Sequence, residues 1–407
     1  MKIEGSPRIL FLVPSDYSQL ADKGVEFLMA DREEGGFFDR VITVHPWAGR
    51  TQVIDLSPVH RLYEIKEYFL PLCDRIKILR YPHHLFHFVR VVSKILHIID
   101  AEHIHLIRAT DPVYTGFLAR VVTLFRTVPY CVSVHADYDK RFELDPSAGA
   151  PTLLGSRRLA KAVEKYVLSH ADLVMPIRAS LAQKLIDNGV PSTQIRIIPH
   201  GIDLTSFANN SGIDVRQSLS IPPVTPILSF AGRLSRENYI YDVLDLARDL
   251  KKTRSDFVVV IAGDGPERKE VEQRVFDYHL QGHVKILGYK PHDFIVSLRK
   301  ASAVSLCLMG GFSLIEACAA GRPVIAYDVE WHSELIQTKE TGWLVKEHDA
   351  AALREAVLFF LTHPSEADRI GGNARRLAFD RHSRQKTSSL RVQCYQELLS
   401  PPAFSRP

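Results

Sequence analysis

The stretch GGFSLIEACAAGRPVIAYDVEWHSELIQTKETGWLV, residues 310–345, predicts a loop, a helix, a buried strand and a second loop in that order. Ser313 is placed to cap the helix, and Glu316 three residues later completes a capping box. Gly321 predicts the end of the helix, and Pro323 prevents its continuation. A glycine-rich entry leaves backbone N–H groups free at a helix N-terminus, which favours an anion such as phosphate. An ordinary βα unit with a good cap fits equally well on this stretch alone.

Three further stretches extend this pattern: IPHGID (198–203), SFAGRL (229–234) and IAGDGPE (261–267). With FSLIEACAAGRPVIA (312–326), they stand in the order and at the spacing found in the family-4 retaining glycosyltransferases of group 1 type. The chain resembles that family over residues 165–380. The resemblance implies an α/β protein with the GT-B fold, in which two Rossmann-like domains face each other across a cleft.

The domain boundary is predicted at a polar stretch, residues 208–224, which is close to several prolines. It separates an N-terminal acceptor domain, residues 1–207, from a nucleotide-sugar donor domain, residues 225–384. The resemblance implies that the tail, residues 385–407, packs back on the first domain. Two α/β domains of this kind are also expected to close on their ligands.

Composition limits the class of protein. The 407 residues are 46% hydrophobic and 24% charged, as in a globular protein of two or more domains. The sequence has no run of about 18 apolar residues, so no transmembrane helix is predicted. The opening residues are predicted to form a strand rather than a signal peptide. The net charge of +4 does not favour nucleic acid as a partner. Five scattered cysteines without a CxxC pair predict a reducing compartment, expected to be the cytoplasm, and no structural zinc.

A donor site in the second domain follows from the resemblance, with a nucleotide-diphosphate sugar as substrate and no cofactor. Arg233 comes just after the first strand of that domain, where its guanidinium can pair with a diphosphate bidentately. Glu316 is expected to hold the ribose hydroxyls. The other implied donor-binding residues are Gly201, Gly232, Arg236, Asn238, Gly263, Gly265, Tyr289, Gly311, Phe312, Ser313 and Leu314.

Two positions depart from the family pattern. The family carries a lysine five residues after the arginine, where this chain has Asn238, and Arg236 is the available substitute. The family also carries a glutamate eight residues before Glu316, where this chain has Leu308 in a shortened segment. These departures favour an alternative, a catalytically impaired relative that binds nucleotide sugar or a partner glycosyltransferase. A third interpretation is another enzyme on this fold, such as an epimerase or a phosphorylase, although no pyridoxal-phosphate lysine motif supports the phosphorylase.

His135 follows the predicted strand YCVSV, residues 130–134, at the edge where ligands approach an open parallel sheet. The resemblance implies that this histidine faces the transferred sugar, so His135 joins Arg233 and Glu316 as a predicted catalytic residue. An ordinary loop histidine is the alternative.

Acceptor contacts are predicted in the same domain. Asp16 follows the first strand, and Asp137 and Arg141 follow His135. The acids at 137 and 139 spell DxD, the metal-binding pattern of a different glycosyltransferase fold, and the order of the other motifs argues against a metal site. The implied reaction transfers the sugar with retention, and without metal, to a glycan, lipid-linked or small-molecule acceptor, as in polysaccharide biosynthesis.

Residues 57–106 mix helix and strand patterns, and a basic and apolar helix is predicted in their histidine-rich middle. Its basic residues lie beside apolar ones: His83, His84, His87, Arg90 and Lys94 accompany Phe86, Phe88, Val91 and Ile95. Such a face is typical of helices that lie on an anionic membrane surface, here the inner face of the cell membrane. A solvated face over an ordinary core stripe is the alternative.

Overall fold

The computed structural model describes residues 6–18, 26–67, 77–136, 152–153, 155–209 and 212–400. The chain forms two compact units. Unit one comprises residues 1–199 and 388–407, and unit two comprises residues 200–387.

Unit two begins at His200, whereas the sequence places the donor domain from residue 225. The reason is packing, because both the last residues of the predicted N-terminal domain and the stretch read as a linker contribute to the core of unit two. Leu204 and Phe207 are buried against the helix that follows Gly311, and Val215 and Ile221 are buried beneath the first strands of unit two.

Unit one is built on a seven-stranded sheet in the order β3-β4-β2-β1-β5-β6-β7. All neighbouring strands are parallel except β3 and β4. Short apolar runs form its central strands, and helices cover both faces. The strands are β1 (Arg8–Leu12), β2 (Arg40–Ala48), β3 (Gln52–Asp55), β4 (His60–Lys66), β5 (Leu106–Ala109), β6 (Tyr130–Val134) and β7 (Leu173–Pro176). The helices are α1 (Lys77–Glu102), α2 (Tyr114–Val122), α3 (Arg157–His170) and α4 (Ala179–Asp187), with 3₁₀ segments at Glu26–Gly36 and Ser192–Gln194.

Unit two has a six-stranded parallel sheet in the order β10-β9-β8-β11-β12-β13. Its strands are β8 (Ile227–Ala231), β9 (Val258–Ala262), β10 (Val284–Ile286), β11 (Val304–Leu306), β12 (Val324–Tyr327) and β13 (Trp343–Val345). Two one-turn helices come first, α5 (Thr205–Ala208) and α6 (Val215–Ser218). Then follow α7 (Ile240–Lys251), α8 (Arg268–Asp277), α9 (His292–Ala301), α10 (Phe312–Ala319), α11 (Ala350–Thr362) and α12 (Pro364–His382), with 3₁₀ segments at Arg236–Asn238 and His332–Glu334.

The predicted helix and strand within residues 310–345 are confirmed as α10 and β12. Gly321 has φ 75°, in the left-handed region that suits a residue just past a helix end. The buried face of the helix includes the small side chains of Ala317, Cys318 and Ala319.

One more helix, α13 (Arg384–Leu399), begins in unit two and belongs to unit one from Ser388 onward. Its anchor in unit one is a buried ion pair. The Glu34 side chain is 1% exposed and accepts hydrogen bonds from Arg391 Nη2 at 2.9 Å and from Ser388 Oγ at 2.8 Å. Tyr395 is fully buried and packs against Phe38.

Replacing Arg391 by alanine is expected to lower the free energy of unfolding by about 2–3 kcal/mol. Removing one partner of a buried pair leaves the other charge without compensation, which generally costs about 3–5 kcal/mol. The loss is smaller here because Glu34 keeps the Ser388 hydroxyl and has Arg108 Nη1 at 4.0 Å. Urea denaturation measures the change, and Gln393→Ala, an exposed site on the same helix, is the control, expected within about 0.5 kcal/mol of wild type. Equal effects of the two substitutions would contradict a stabilising ion pair.

Candidate functional site

The predicted donor residues lie at one edge of the sheet of unit two. Four neighbouring strands, β10, β9, β8 and β11, run parallel, so the loops that follow them meet at their carboxyl ends. These loops carry, in the same order, Tyr289, the glycines at 263 and 265, the pair Gly232 and Arg233, and residues 311–314. Tyr289 is 82% exposed.

Gly201 belongs to unit two and reaches the same region through its neighbour. The ring of His200 packs edge-on against that of Phe312, with centroids 5.1 Å apart. A Cβ at Gly201 would lie 1.9 Å from Thr387 Oγ1, so the glycine is needed for this turn to lie against α13.

Gly263 and Gly265 allow two loops of the site to pack on each other. A Cβ at Gly263 would lie 1.9 Å from the carbonyl oxygen of Gly232, and one at Gly265 would lie 2.3 Å from that of Leu234. The loops are also joined by a hydrogen bond from Gly232 N to Ala262 O at 3.0 Å. These glycines therefore allow the contact between loops, and their predicted approach to a nucleotide stays a prediction.

The predicted capping box at α10 is wrong. The helix begins at Phe312, so its N-cap is Gly311, and no side chain caps it. Ser313 lies inside the first turn and donates a hydrogen bond from Oγ to the carbonyl oxygen of Ala231, 3.1 Å away at the end of β8. The serine thus joins the helix to the neighbouring strand. Leu314 is fully buried, so only its backbone can face a ligand.

Glu316 lies between a histidine and an arginine side chain. Its Oε1 is 3.3 Å from His292 Nε2, and its Oε2 is 3.7 Å from Arg299 Nη2. Arg299 is 4% exposed and also donates to the backbone oxygen of Ser313 at 2.6 Å and to its Oγ at 2.7 Å. The hydrogen bond with Glu316 holds the pKa of His292 above its ordinary value.

The sequence did not identify His292 or Arg299 as site residues. Both lie on α9, a helix whose pattern of apolar residues indicates only a core-facing stripe. Arg299 lies beside Leu298, and both are buried in the structure. Arginine is almost never fully buried unless it is paired, so the burial of Arg299 is what points to a partner.

Arg233 and Arg236 differ in their surroundings. The Arg233 side chain is exposed, and within the described ranges no hydrogen bond or ion pair is recorded for its guanidinium. Arg236 Nε is 3.4 Å from Glu267 Oε1, and its guanidinium lies 5.9 Å from the centre of the Tyr241 ring. Asn238 donates from Nδ2 to the backbone oxygen of Arg233 at 2.8 Å. Asn238 therefore positions the loop of Arg233, and Arg236 already has an acidic partner.

His332 is a buried structural histidine that sequence reasoning left unassigned. It is fully buried, with Nδ1 2.8 Å from the carbonyl oxygen of Tyr327 and Nε2 3.1 Å from that of Gly310. Burial lowers its pKa. The ring thereby fixes the entry to α10. Leu308, at the position of the missing glutamate, is fully buried in the core and contributes no charge.

Unit one presents its predicted residues at the carboxyl edge of its own sheet. His135 is exposed and directly follows β6, and Asp16 is half-buried after β1, with β5 between the two strands. Asp137 and Arg141 lie outside the described residues. The loop of Asp16 is anchored by the next residue, since Tyr17 N donates to Glu64 Oε1 at 2.7 Å.

Glu64 is buried together with His45, whose Nδ1 is 3.3 Å from Glu64 Oε1. Burial lowers the pKa of His45 to about 4. At neutral pH the histidine is therefore uncharged, and Glu64 Oε1 accepts the hydrogen bond from the Tyr17 N–H. This cluster positions the loop after β1.

Over the described ranges, no group of three or more His, Cys, Asp or Glu side chains is arranged to hold a metal ion. Within the same ranges, no helix is both long and apolar enough to span a bilayer.

Comparison with known proteins decides the family. Residues 213–377 match the family described as glycosyl transferases group 1, and residues 40–201 match the glycosyl transferase 4-like domain. The chain belongs to the group 1 glycosyltransferases. Among curated relatives of this group 1 glycosyltransferase is the amylovoran biosynthesis glycosyltransferase AmsK of Erwinia amylovora, 30% identical over 207 residues, which are 48% of this chain and 49% of the relative. The chain spans about half the length of the curated relatives it matches first.

Solved structures agree on the fold of this group 1 glycosyltransferase. Sucrose-phosphate synthase from Thermosynechococcus elongatus is 22% identical, with a TM-score of 0.66 over 96% of this chain and 99% of the other. Anabaena HepE in complex with UDP is 16% identical, with a TM-score of 0.70 over 97% of this chain and 100% of the other. The GT-B fold class predicted from the sequence is confirmed.

Proposed function

We propose that this protein is a glycosyltransferase that moves a sugar from a nucleotide-diphosphate sugar to a glycan, lipid-linked or small-molecule acceptor. The observation that carries the proposal is the edge of unit two where Arg233, the first turn of α10 and Glu316 follow adjacent strands. That edge offers an exposed guanidinium and a helix N-terminus for phosphates, and a partly exposed carboxylate for ribose hydroxyls.

Breaking the bond between the sugar and the diphosphate places negative charge on the leaving phosphate. Arg233 and the N-terminus of α10 stabilise that charge by preorganised electrostatics, without a metal ion. We propose retention of the anomeric configuration by front-face attack, in which the leaving phosphate assists deprotonation of the acceptor. The resemblance to retaining family members is the support for this step.

The acceptor side is proposed to lie on unit one. His135 is exposed at the carboxyl end of β6, where its ring can hydrogen-bond a sugar hydroxyl, and the anchored loop of Asp16 lies two strands away. The name of the relative AmsK, an amylovoran biosynthesis glycosyltransferase, supports a role in polysaccharide synthesis. We propose a cytoplasmic protein, because nucleotide sugars and reduced thiols are both expected there.

Peripheral membrane contact is proposed for α1. Leu85, Phe86 and Val89 are 64%, 70% and 57% exposed, and Lys94 is exposed on the same helix. His87, counted in this face from the sequence, is instead 4% exposed and lies with Nε2 3.0 Å from the carbonyl oxygen of Pro46. Exposed apolar side chains beside a basic one suit the boundary of an anionic bilayer.

A binding-only relative remains the second candidate function. Leu308 and Asn238 favour it, since neither supplies the charge that the family has at these positions; Leu308 is buried in the core and Asn238 bonds to the backbone of Arg233. This candidate predicts saturable nucleotide binding with no turnover in acceptor mixtures.

Nucleotide release from a panel of donors, starting with UDP-sugars because HepE was crystallised with UDP, tests the proposed function. Glu316→Ala is expected to raise the donor KM about ten- to a hundredfold, because a hydrogen bond to a charged group contributes about 1.5–3 kcal/mol. Glu272→Ala, an exposed acid on α8, serves as the matched control. Turnover that is equal in wild type and Glu316→Ala would remove Glu316 from the donor site, and binding without turnover would favour the binding-only relative.

A further inference from the structure

The two oxygens of Glu316 have partners of different exposure. Oε2 faces Arg299, which is 4% exposed and is held by two hydrogen bonds to Ser313. Oε1 faces His292, whose side chain is 50% exposed at the first turn of α9. A buried guanidinium with fixed partners cannot leave without a large cost. The imidazole of His292 can rotate into water.

A ligand that approaches Glu316 from solvent therefore meets the His292 side of the carboxylate. The Glu316 side chain is 23% exposed, so part of it is open to such a ligand. The ribose of a nucleotide would offer two hydroxyl donors to this carboxylate, where His292 now offers one N–H. Hydroxyl groups and the imidazole compete for the same oxygen.

Several charged groups surround His292. Glu316 is the acid at hydrogen-bond distance, and Asp293 on the same helix acts through space to stabilise the protonated ring. Arg299 opposes protonation. Asp203, which precedes α5, interacts with His292 at longer range, but its Oδ1 accepts hydrogen bonds from Thr205.

We propose that His292 is a positioning residue that holds Glu316 while the donor site is empty, and that nucleotide binding displaces it and releases a proton. The inference deepens the proposed function and rests on it, because it assumes that Glu316 accepts the ribose hydroxyls. The charged partner raises the pKa of His292 in the empty site, so displacement returns that pKa toward its ordinary value. The proton goes to the buffer.

Nucleotide affinity should then depend on pH in a definite direction. As the pH falls through the ordinary range of histidine, a growing fraction of His292 is protonated and paired with Glu316, and the ligand must displace it. The dissociation constant is expected to be about three- to tenfold higher at pH 6 than at pH 8, since one released proton changes affinity at most tenfold per pH unit.

Isothermal titration calorimetry of the full chain measures the proton directly. UDP-glucose and GDP-mannose are suitable probes because, unlike UDP, neither carries a terminal phosphate that titrates near neutral pH. Titrations at pH 6.5 in buffers of different ionisation enthalpy give the number of protons released. We expect about half a proton for wild type and for His363→Gln, an exposed histidine of unit two.

His292→Gln is expected to bind the same probe with no proton release and with an affinity that no longer changes between pH 6 and pH 8. Equal proton release in wild type and His292→Gln would overturn the inference, as would proton uptake or no proton exchange in wild type. These outcomes leave the proposed function intact, because the probe still binds. Binding of neither probe, or of other sugar nucleotides from the panel, would overturn the donor site and this inference with it.

Discussion

Replacing Arg233 by alanine is expected to lower kcat about 100- to 1000-fold with the best donor. Loss of one preorganised group that stabilises developing charge generally has an effect of about this size. The site has few alternatives, since Asn238 is uncharged and its Nδ2 is already bonded to the backbone of Arg233. The N-terminus of α10 supplies only about half an elementary charge.

The comparison with Arg236→Ala makes this prediction sharp. Both arginines are exposed and three residues apart, but Arg236 is paired with Glu267 and lies over the Tyr241 ring. We expect Arg236→Ala to lose less than about tenfold, because an exposed and already paired charge contributes little. Steady-state kinetics of the two variants is the measurement. A larger loss for Arg236→Ala than for Arg233→Ala would show that Arg236 has taken the place of the missing lysine.

Gly263→Ala is expected to have the largest effect on stability, at least about 4 kcal/mol in the free energy of unfolding. The added Cβ would lie 1.9 Å from the carbonyl oxygen of Gly232, and the residue has φ 147°, which side chains rarely adopt. Neither backbone can move freely, because Gly263 N donates to Gly288 O at 2.8 Å and Gly232 N donates to Ala262 O. Destabilisation of this size arises from backbone strain and overpacking that the structure cannot relieve.

Gly282→Ala is the matched control in the same unit. No atom lies within 4 Å of its Cβ position, and its φ is outside the left-handed region. We expect a change within about 0.5 kcal/mol, toward higher stability if any, because alanine reduces the entropy of the unfolded chain. Urea denaturation of both variants measures the difference, and similar midpoints would mean that the loops after β8 and β9 can separate at little cost.

The order of motifs predicted which loops of unit two lie at one edge of its sheet, because of how parallel sheets are built. Each motif follows an apolar strand, and the carboxyl ends of neighbouring parallel strands must meet at one edge. The residues around Gly232, Gly263 and Gly311 could therefore be grouped from the sequence before any distance was known. Their detailed contacts could not, because Ser313 fits an N-cap on sequence spacing alone, whereas in the structure it is the second residue of α10 and bonds to the end of β8.

The sequence could not identify the buried side chains that support the site. Arg299 and His332 each hold the entry to α10, but both lie in segments whose patterns indicate only a core-facing helix or a polar loop. The pair of Glu34 and Arg391 joins positions 357 residues apart, and no local pattern identifies such partners. Tertiary packing decides which distant residues form an ion pair, and hydrophobic periodicity does not encode that packing.

That ion pair also has a consequence for biosynthesis. A growing chain leaves the ribosome from its N-terminus, so all seven strands of unit one emerge long before the residues of α13 that complete it. Unit two is continuous in the chain and can fold before Arg391, the partner of Glu34, has been synthesised. Until α13 is synthesised, nascent unit one therefore exposes the surface that Tyr395 later covers. A chaperone would bind that surface during this interval.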